Sequence, residues 1–144
     1  MRKISFIITS LMIILQISCV EKSGYYTESE NHIIALICDI TWMSEKTTND
    51  EGMSYQDVYK FSKNGTYARI LIVTDKNGME QQSTINGQWA FSDPSFGVIY
   101  FGHNDYWDLD ELTEKKFSAY RRYGEFGEPG MIREYFILTP KNSF

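Results

Sequence analysis

Polar and apolar residues alternate along most of this chain, and the alternation comes in short runs. Beyond residue 39 the runs fall at 40–44, 55–61, 67–73, 80–84, 88–91, 98–101, 106–112, 117–123 and 131–139. A period of two sends successive side chains to opposite faces, so each run predicts a half-buried strand. Turn formers separate the runs. Asn64-Gly65, Asn77-Gly78 and Asn86-Gly87 each stand between two of them, and Asn-Gly accepts the left-handed backbone of a type I′ hairpin turn. The Gly-rich stretch 124–130 makes a longer late loop. Residues 28–38 have helical spacing and predict a short amphipathic helix, with a strand from Ile33 as the alternative. Eight or nine short strands in hairpin succession predict an all-β fold. The expected architecture is an antiparallel up-and-down β-barrel of about eight strands, preceded by a short N-terminal helix.

The first residues follow a different pattern. Arg2 and Lys3 precede an uncharged, mostly apolar run over 4–17, and the small Ser18 precedes Cys19. A basic start, an apolar middle and a small residue at the cut predict a cleaved signal peptide over 1–18. The apolar run is shorter than the roughly 20 residues a membrane-spanning helix needs, so a permanent transmembrane anchor is the weaker expectation. The segment Leu15-Gln16-Ile17-Ser18-Cys19 resembles a bacterial lipobox, although Gln16 stands where that motif usually has Leu. The resemblance implies that the Cys19 thiol takes a diacylglycerol, residues 19–31 form a lipidated tether, and residues 32–144 form the barrel domain. Ordinary signal-peptidase cleavage, leaving Cys19 as a plain or bridged thiol, is the alternative. With Cys19 lipidated, Cys38 is the other cysteine, expected as a small buried hydrophobe, and no disulfide framework can form.

Composition supports the strand reading. There are ten Tyr, nine Phe and three Trp, whereas Ala, the strongest helix former, occurs only at 35, 68, 90 and 119. Loss of residues 1–18 would reduce the 14 basic residues to 12 against 19 acidic ones, a net charge near −7. A nucleic-acid partner needs a basic stripe to neutralise phosphates, and none is present. Lys115-Lys116 and Arg121-Arg122 are the densest basic pairs and are expected at solvated hairpin positions.

Catalytic and metal chemistry finds little support. His32 and His103 are far apart and lack a ligand-spaced partner. The acidic group Asp105, Asp108, Asp110 and Glu111 offers oxygens to calcium, but a solvated outer strand face is the better explanation. No G-x-S-x-G elbow and no phosphate-binding glycine loop occur. No enzyme is expected, no cofactor and no metal. A hydrolase with spatially paired carboxylates stays open as the minor reading.

The residues also carry a family resemblance. Trp42, then Tyr59-x-Phe61-x-x-Asn64-Gly65-Thr66-Tyr67, Gly87-x-Trp89 and Asp110-Glu111-Leu112-Thr113 follow an order that resembles the lipocalin-like lipoproteins common in Bacteroidetes. The chain departs from them before Trp42, where Gly is usual, and in the long hairpin over 116–139. The resemblance implies a lipid-anchored protein of the bacterial cell envelope, at the outer membrane, whose barrel binds a small apolar ligand. Trp42, Tyr59, Phe61, Trp89 and Trp107 are the expected ligand-lining residues. The alternative is a non-catalytic accessory lipoprotein, such as an inhibitor, with a filled barrel and a protein partner. Cys19→Ser is expected to move the protein from the detergent phase to the aqueous phase of a Triton X-114 partition. An unchanged partition would contradict lipidation at this cysteine.

Overall fold

The computed structural model describes residues 28–142. The expected signal peptide, Cys19 and most of the tether lie outside the described residues. One helix, α1 (Glu28–Cys38), is followed by β1 (Trp42–Ser44), β2 (Thr47–Thr48), β3 (Ser54–Phe61), β4 (Thr66–Thr74) and β5 (Glu80–Gln88). Then come β6 (Ala90–Phe91), β7 (Val98–Gly102), β8 (Asp105–Leu112), β9 (Phe117–Tyr123) and β10 (Ile132–Pro140). Helix α1 occupies the predicted span and begins within the range assigned to the tether.

All strands belong to one antiparallel sheet in the order β5-β4-β3-β1-β10-β9-β8-β7-β6, with β2 beside β3. β5 and β6 flank Trp89, so the two ends of this list are one continuous run of chain. β1 and β2 likewise run in series along β3, pairing Trp42 with Tyr59 and Thr48 with Ser54. Counting each pair as one bent strand gives eight staves joined in sequence, and the last returns to the first through β10 and β1. The sheet is therefore a nearly closed up-and-down barrel.

The turns explain the register. At Asn49, Ser62 and Asp75 the same device recurs: the residue donates its N–H four residues ahead and accepts from a glycine three ahead. Gly52, Gly65 and Gly78 have φ of 79°, 86° and 83°, and no Asn before them is left-handed. These are type I turns closed by a glycine bulge, not the type I′ turns expected at Asn64-Gly65 and Asn77-Gly78. Two adjacent left-handed residues occur at His103 and Asn104 instead, with φ of 51° and 59°. Asn86-Gly87 is no turn at all. It lies inside β5, where a Cβ on Gly87 would stand 2.6 Å from the Tyr67 ring across the strand pair. Glycine serves there for close approach, and the run 80–91 passes straight on.

Inward side chains of the strands meet in one core of Trp42, Tyr59, Phe61, Trp89, Ile99, Trp107, Phe117, Ala119 and Leu138, joined by Ile37 of α1. Aromatic edges meet faces throughout: Trp42 on Phe117 at 5.4 Å, Phe61 on Trp89 at 5.6 Å and Tyr59 on Trp107 at 5.0 Å between centroids. Such pairs contribute about 0.5–1.5 kcal/mol each beyond area burial. Helix α1 stoppers one end of the barrel. Ile37 is fully buried, and the Trp42 indole donates to the Leu36 carbonyl at 3.1 Å, satisfying an otherwise unpaired helix C-terminal oxygen. Trp42→Phe keeps most of the volume and removes that donor. It is expected to lower unfolding free energy by about 1–3 kcal/mol in urea titration, with faster amide exchange in 33–38.

Candidate functional site

The barrel interior changes character along its axis. Nearest α1, the inward positions are Trp42, Phe61, Phe117 and Leu138, all buried. Moving two residues along each strand, to the next inward position, reaches Tyr59, Ala119, Phe136 and, on β8, Trp107. Two residues further the interior turns ionic, with Asp57 on β3, Asp105 on β8, Arg121 on β9 and Glu134 on β10; Arg69 of β4 joins them. Strand register places these groups together: Tyr59 faces Arg69, Trp107 faces Arg121, and Arg121 faces Glu134.

A cavity of about 210 Å³ lies where the aromatic layer meets the ionic one. Its lining is Ser44, Asp57, Tyr59, Trp107, Arg121, Glu134, Phe136 and Leu138. A smaller space of about 60 Å³ lies on the other side of Tyr59, Trp107 and Arg121, against Arg69, Phe101 and Asp105. The cavity meets a wider groove of about 760 Å³ in the barrel wall, with Ser44, Asp57 and Phe136 common to both. The groove exists because β1 is short. Pairing between β1 and β10 stops at Ser44 and Leu138, and β2 then stays with β3. The part of β10 from Ile132 to Ile137 keeps β9 on one side and, among the described residues, has no strand on the other.

Electrostatics inside this mouth are paired, with one exception. Asp57 accepts two hydrogen bonds from Arg69, at 2.7 and 3.0 Å. Asp105 accepts from Arg121 at 3.1 Å. Each bond raises its guanidinium pKa; for Arg121 the largest influence is burial, which opposes the rise. Glu134 has no hydrogen bond and no ion pair among the described residues. Tyr59 is buried as a residue, and among the described residues its hydroxyl has no hydrogen-bond partner. Tyr59 lines the two spaces together with Asp57, Arg69, Asp105 and Arg121, and all four charges act on its phenol. Burial, followed by the Asp57 charge, pushes its pKa up to about 12. It is a neutral hydroxyl at physiological pH, able to donate one hydrogen bond and accept others.

Of the five aromatic residues expected to line a ligand site, Tyr59 and Trp107 border the cavity. Trp42, Phe61 and Trp89 are packed in the closed half; the Trp89 indole donates to the Ser62 carbonyl at 3.1 Å. Cys19 lies outside the described residues. The ionic ring of Asp57, Arg69, Asp105, Arg121 and Glu134 was not anticipated. Its signal was present: each charge stands two residues from an inward Tyr59, Tyr67, Trp107, Ala119 or Phe136, on the same strand face.

The pair Arg121-Arg122 is not solvated, contrary to expectation. It straddles the wall. Arg121 turns inward to Asp105, whereas Arg122 is 5 % exposed outside, bound by Asp108 at 2.9 Å and stacked over Tyr106 at 4.2 Å. Arg133 reaches the same Asp108 at 3.3 Å and lies 3.9 Å over Tyr120. Asp108 and Asp110 do share the outer face, but Asp108 is locked between two guanidinium groups and Asp110 accepts from Ser118 at 2.9 Å. Cys38 is half-buried, and burial pushes its thiol up to about 11. Among the described residues no group of three or more His, Cys, Asp or Glu is placed to hold a metal ion, and no helix is long and apolar enough to cross a membrane.

No protein-family model, curated protein or solved structure matches this chain.

The Tyr59 shift makes a pH prediction. The unfolded phenol ionises near pH 10 and the folded one near 12, so between these values the unfolded state sheds its proton first. The associated stability is complete below pH 10 and is lost as pH rises to 12, an effect of roughly 2 kcal/mol. Unfolding free energy should fall less steeply across this window in Tyr59→Phe than in the parent, by urea titration at stepped pH. Equal slopes would contradict a buried, shifted phenol.

Proposed function

We propose that this protein is a small-molecule-binding barrel, held at the bacterial envelope by lipid on Cys19. The single observation that supports ligand binding best is the cavity of about 210 Å³ with the unpartnered Tyr59 hydroxyl at its wall. That hydroxyl has no protein partner among the described residues and borders the cavity, so it is open to a hydrogen bond with a ligand or water. Trp107, Phe136 and Leu138 offer a floor for an apolar body. Glu134, Ser44 and the two ion pairs offer groups for a polar end. The ligand is therefore a small amphiphile, with an apolar part matching the expectation from the lipocalin-like resemblance. A pocket that binds drug-sized ligands commonly measures 300–1,000 Å³, so this ligand is smaller than those.

Anchoring fits the same reading. Two or more acyl chains on Cys19 would hold the barrel to a membrane, at about 0.8 kcal/mol for each buried methylene. A polar tether would then let the mouth meet its ligand in the aqueous phase. One observation favours a second reading, an accessory protein that binds a partner by strand addition. The free edge of β10 carries exposed Ile132, Tyr135 and Ile137, and exposed edges accept added strands.

Tryptophan emission separates the two. Trp107 borders the cavity, whereas Trp42 and Trp89 are in the packed half. Titration with small ring-bearing and branched-alkyl amphiphiles should change the emission, and Trp107→Phe should abolish the change while Trp89→Phe retains it. No change with any of them would favour the filled barrel and the strand-addition reading.

A further inference from the structure

We infer that the cavity selects an organic cation of the alkylammonium class, with Glu134 as its counter-ion. This rests on the reading that the cavity takes a ligand, and names the class.

The argument is one of charge balance and ring chemistry. Asp57 is saturated by the two-pronged contact from Arg69, and Asp105 engages Arg121. These pairs are internally neutral. Glu134 adds one negative charge that nothing in the described structure balances. Its register partner is Arg121, which would be the natural counter-ion, but that guanidinium pairs with Asp105, and no ion pair joins it to Glu134 among the described residues. The lining therefore carries a net charge of −1.

The apolar half of the lining points to the same ligand. Tyr59, Trp107 and Phe136 contribute three aromatic rings to a space of about 210 Å³. Aromatic faces attract cations through their quadrupole, and quaternary ammonium groups are bound in aromatic surroundings for this reason. An anion would meet Glu134 and the negative ring faces, and its natural partners, Arg69 and Arg121, are already occupied. A neutral ligand would gain the apolar contact and the Tyr59 hydroxyl but leave the Glu134 charge unpaired. The unpartnered Tyr59 hydroxyl supplies a second polar contact, for a hydroxyl or ether oxygen carried near the cation. A branched ammonium group with a short oxygenated arm satisfies every feature of the site.

The test uses three ligands of one shape. Choline, 3,3-dimethylbutan-1-ol and 3,3-dimethylbutanoate share a branched head but differ in charge. Each is titrated into the purified protein, and into its Glu134→Gln variant, by chemical-shift perturbation or calorimetry. Choline should bind about five- to tenfold more tightly than the neutral alcohol, the range for a partly exposed charge contact. Glu134→Gln should remove most of that preference and leave the alcohol's affinity unchanged. Because Glu134 is exposed, the variant is expected to fold, which its circular dichroism checks. Equal binding of choline and the alcohol would overturn the inference and leave the small-molecule reading intact. Preference for the carboxylate would overturn it in favour of Arg121 as the recognising group. No binding of any of the three up to about 10 mM, a standard free energy near −2.7 kcal/mol, would overturn both. Glycerophosphocholine distinguishes two sources of the same chemistry: weaker binding than choline indicates a free cation, tighter binding a lipid headgroup.

Discussion

Three residues close this barrel. β1 runs only from Trp42 to Ser44, yet it is hydrogen bonded to β3 on one side and β10 on the other. On one side of Ser44 the wall is continuous, and alternating side chains have to fill a sealed space. Trp42, Phe61, Phe117 and Leu138 do so, with Ile37 entering from α1 as a stopper. On the other side the wall parts, water reaches the interior, and charged side chains can occupy inward positions. The division between a greasy closed half and an ionic open half follows from where that one strand ends.

The two halves support each other. The aromatic floor gives the ion pairs a rigid base, since ring contacts fix Tyr59 and Trp107 from several directions. Rigid placement matters for charges near a low-dielectric wall, because an unpaired ion there is costly and a paired one is held by geometry. Asp57 with Arg69 and Asp105 with Arg121 meet that condition. Tyr59 marks the boundary: its ring belongs to the core, its hydroxyl to the mouth. On the outside, Asp108 gathers Arg122 and Arg133 across three strands, bracing the wall behind the cavity. The long hairpin between β9 and β10 thus belongs to the barrel itself and supplies Glu134 and Phe136 to the site.

Much of this fold was legible in the sequence, because period-two alternation speaks directly about strands. The runs at 55–61, 67–73, 106–112 and 117–123 each match a strand to within a residue or two. The helix over 28–38 was legible from spacing as well. Asn86-Gly87 misled because the dipeptide reads the same whether glycine is needed for a left-handed turn or for a ring lying on it; only the partner strand, carrying Tyr67, decides. Likewise, Arg121-Arg122 looks like a solvated basic pair until the pleat sends one residue to each face. The ionic ring was hidden for a third reason. Asp57, Arg69, Asp105, Arg121 and Glu134 are unremarkable one strand at a time, and they become a site only when the sheet curls and brings five separate strands round to one mouth.

Residue-resolved amide exchange along β10 tests the central claim most directly. A wall that parts beyond Ser44 predicts protection at Leu138 and Thr139, which β1 pairs, and an alternation over 132–137. There the amides facing β9 should be protected and those facing the gap should exchange quickly. Uniform protection over 132–137 would show that the seam is zipped shut, and would contradict both the open mouth and the cavity reached through it.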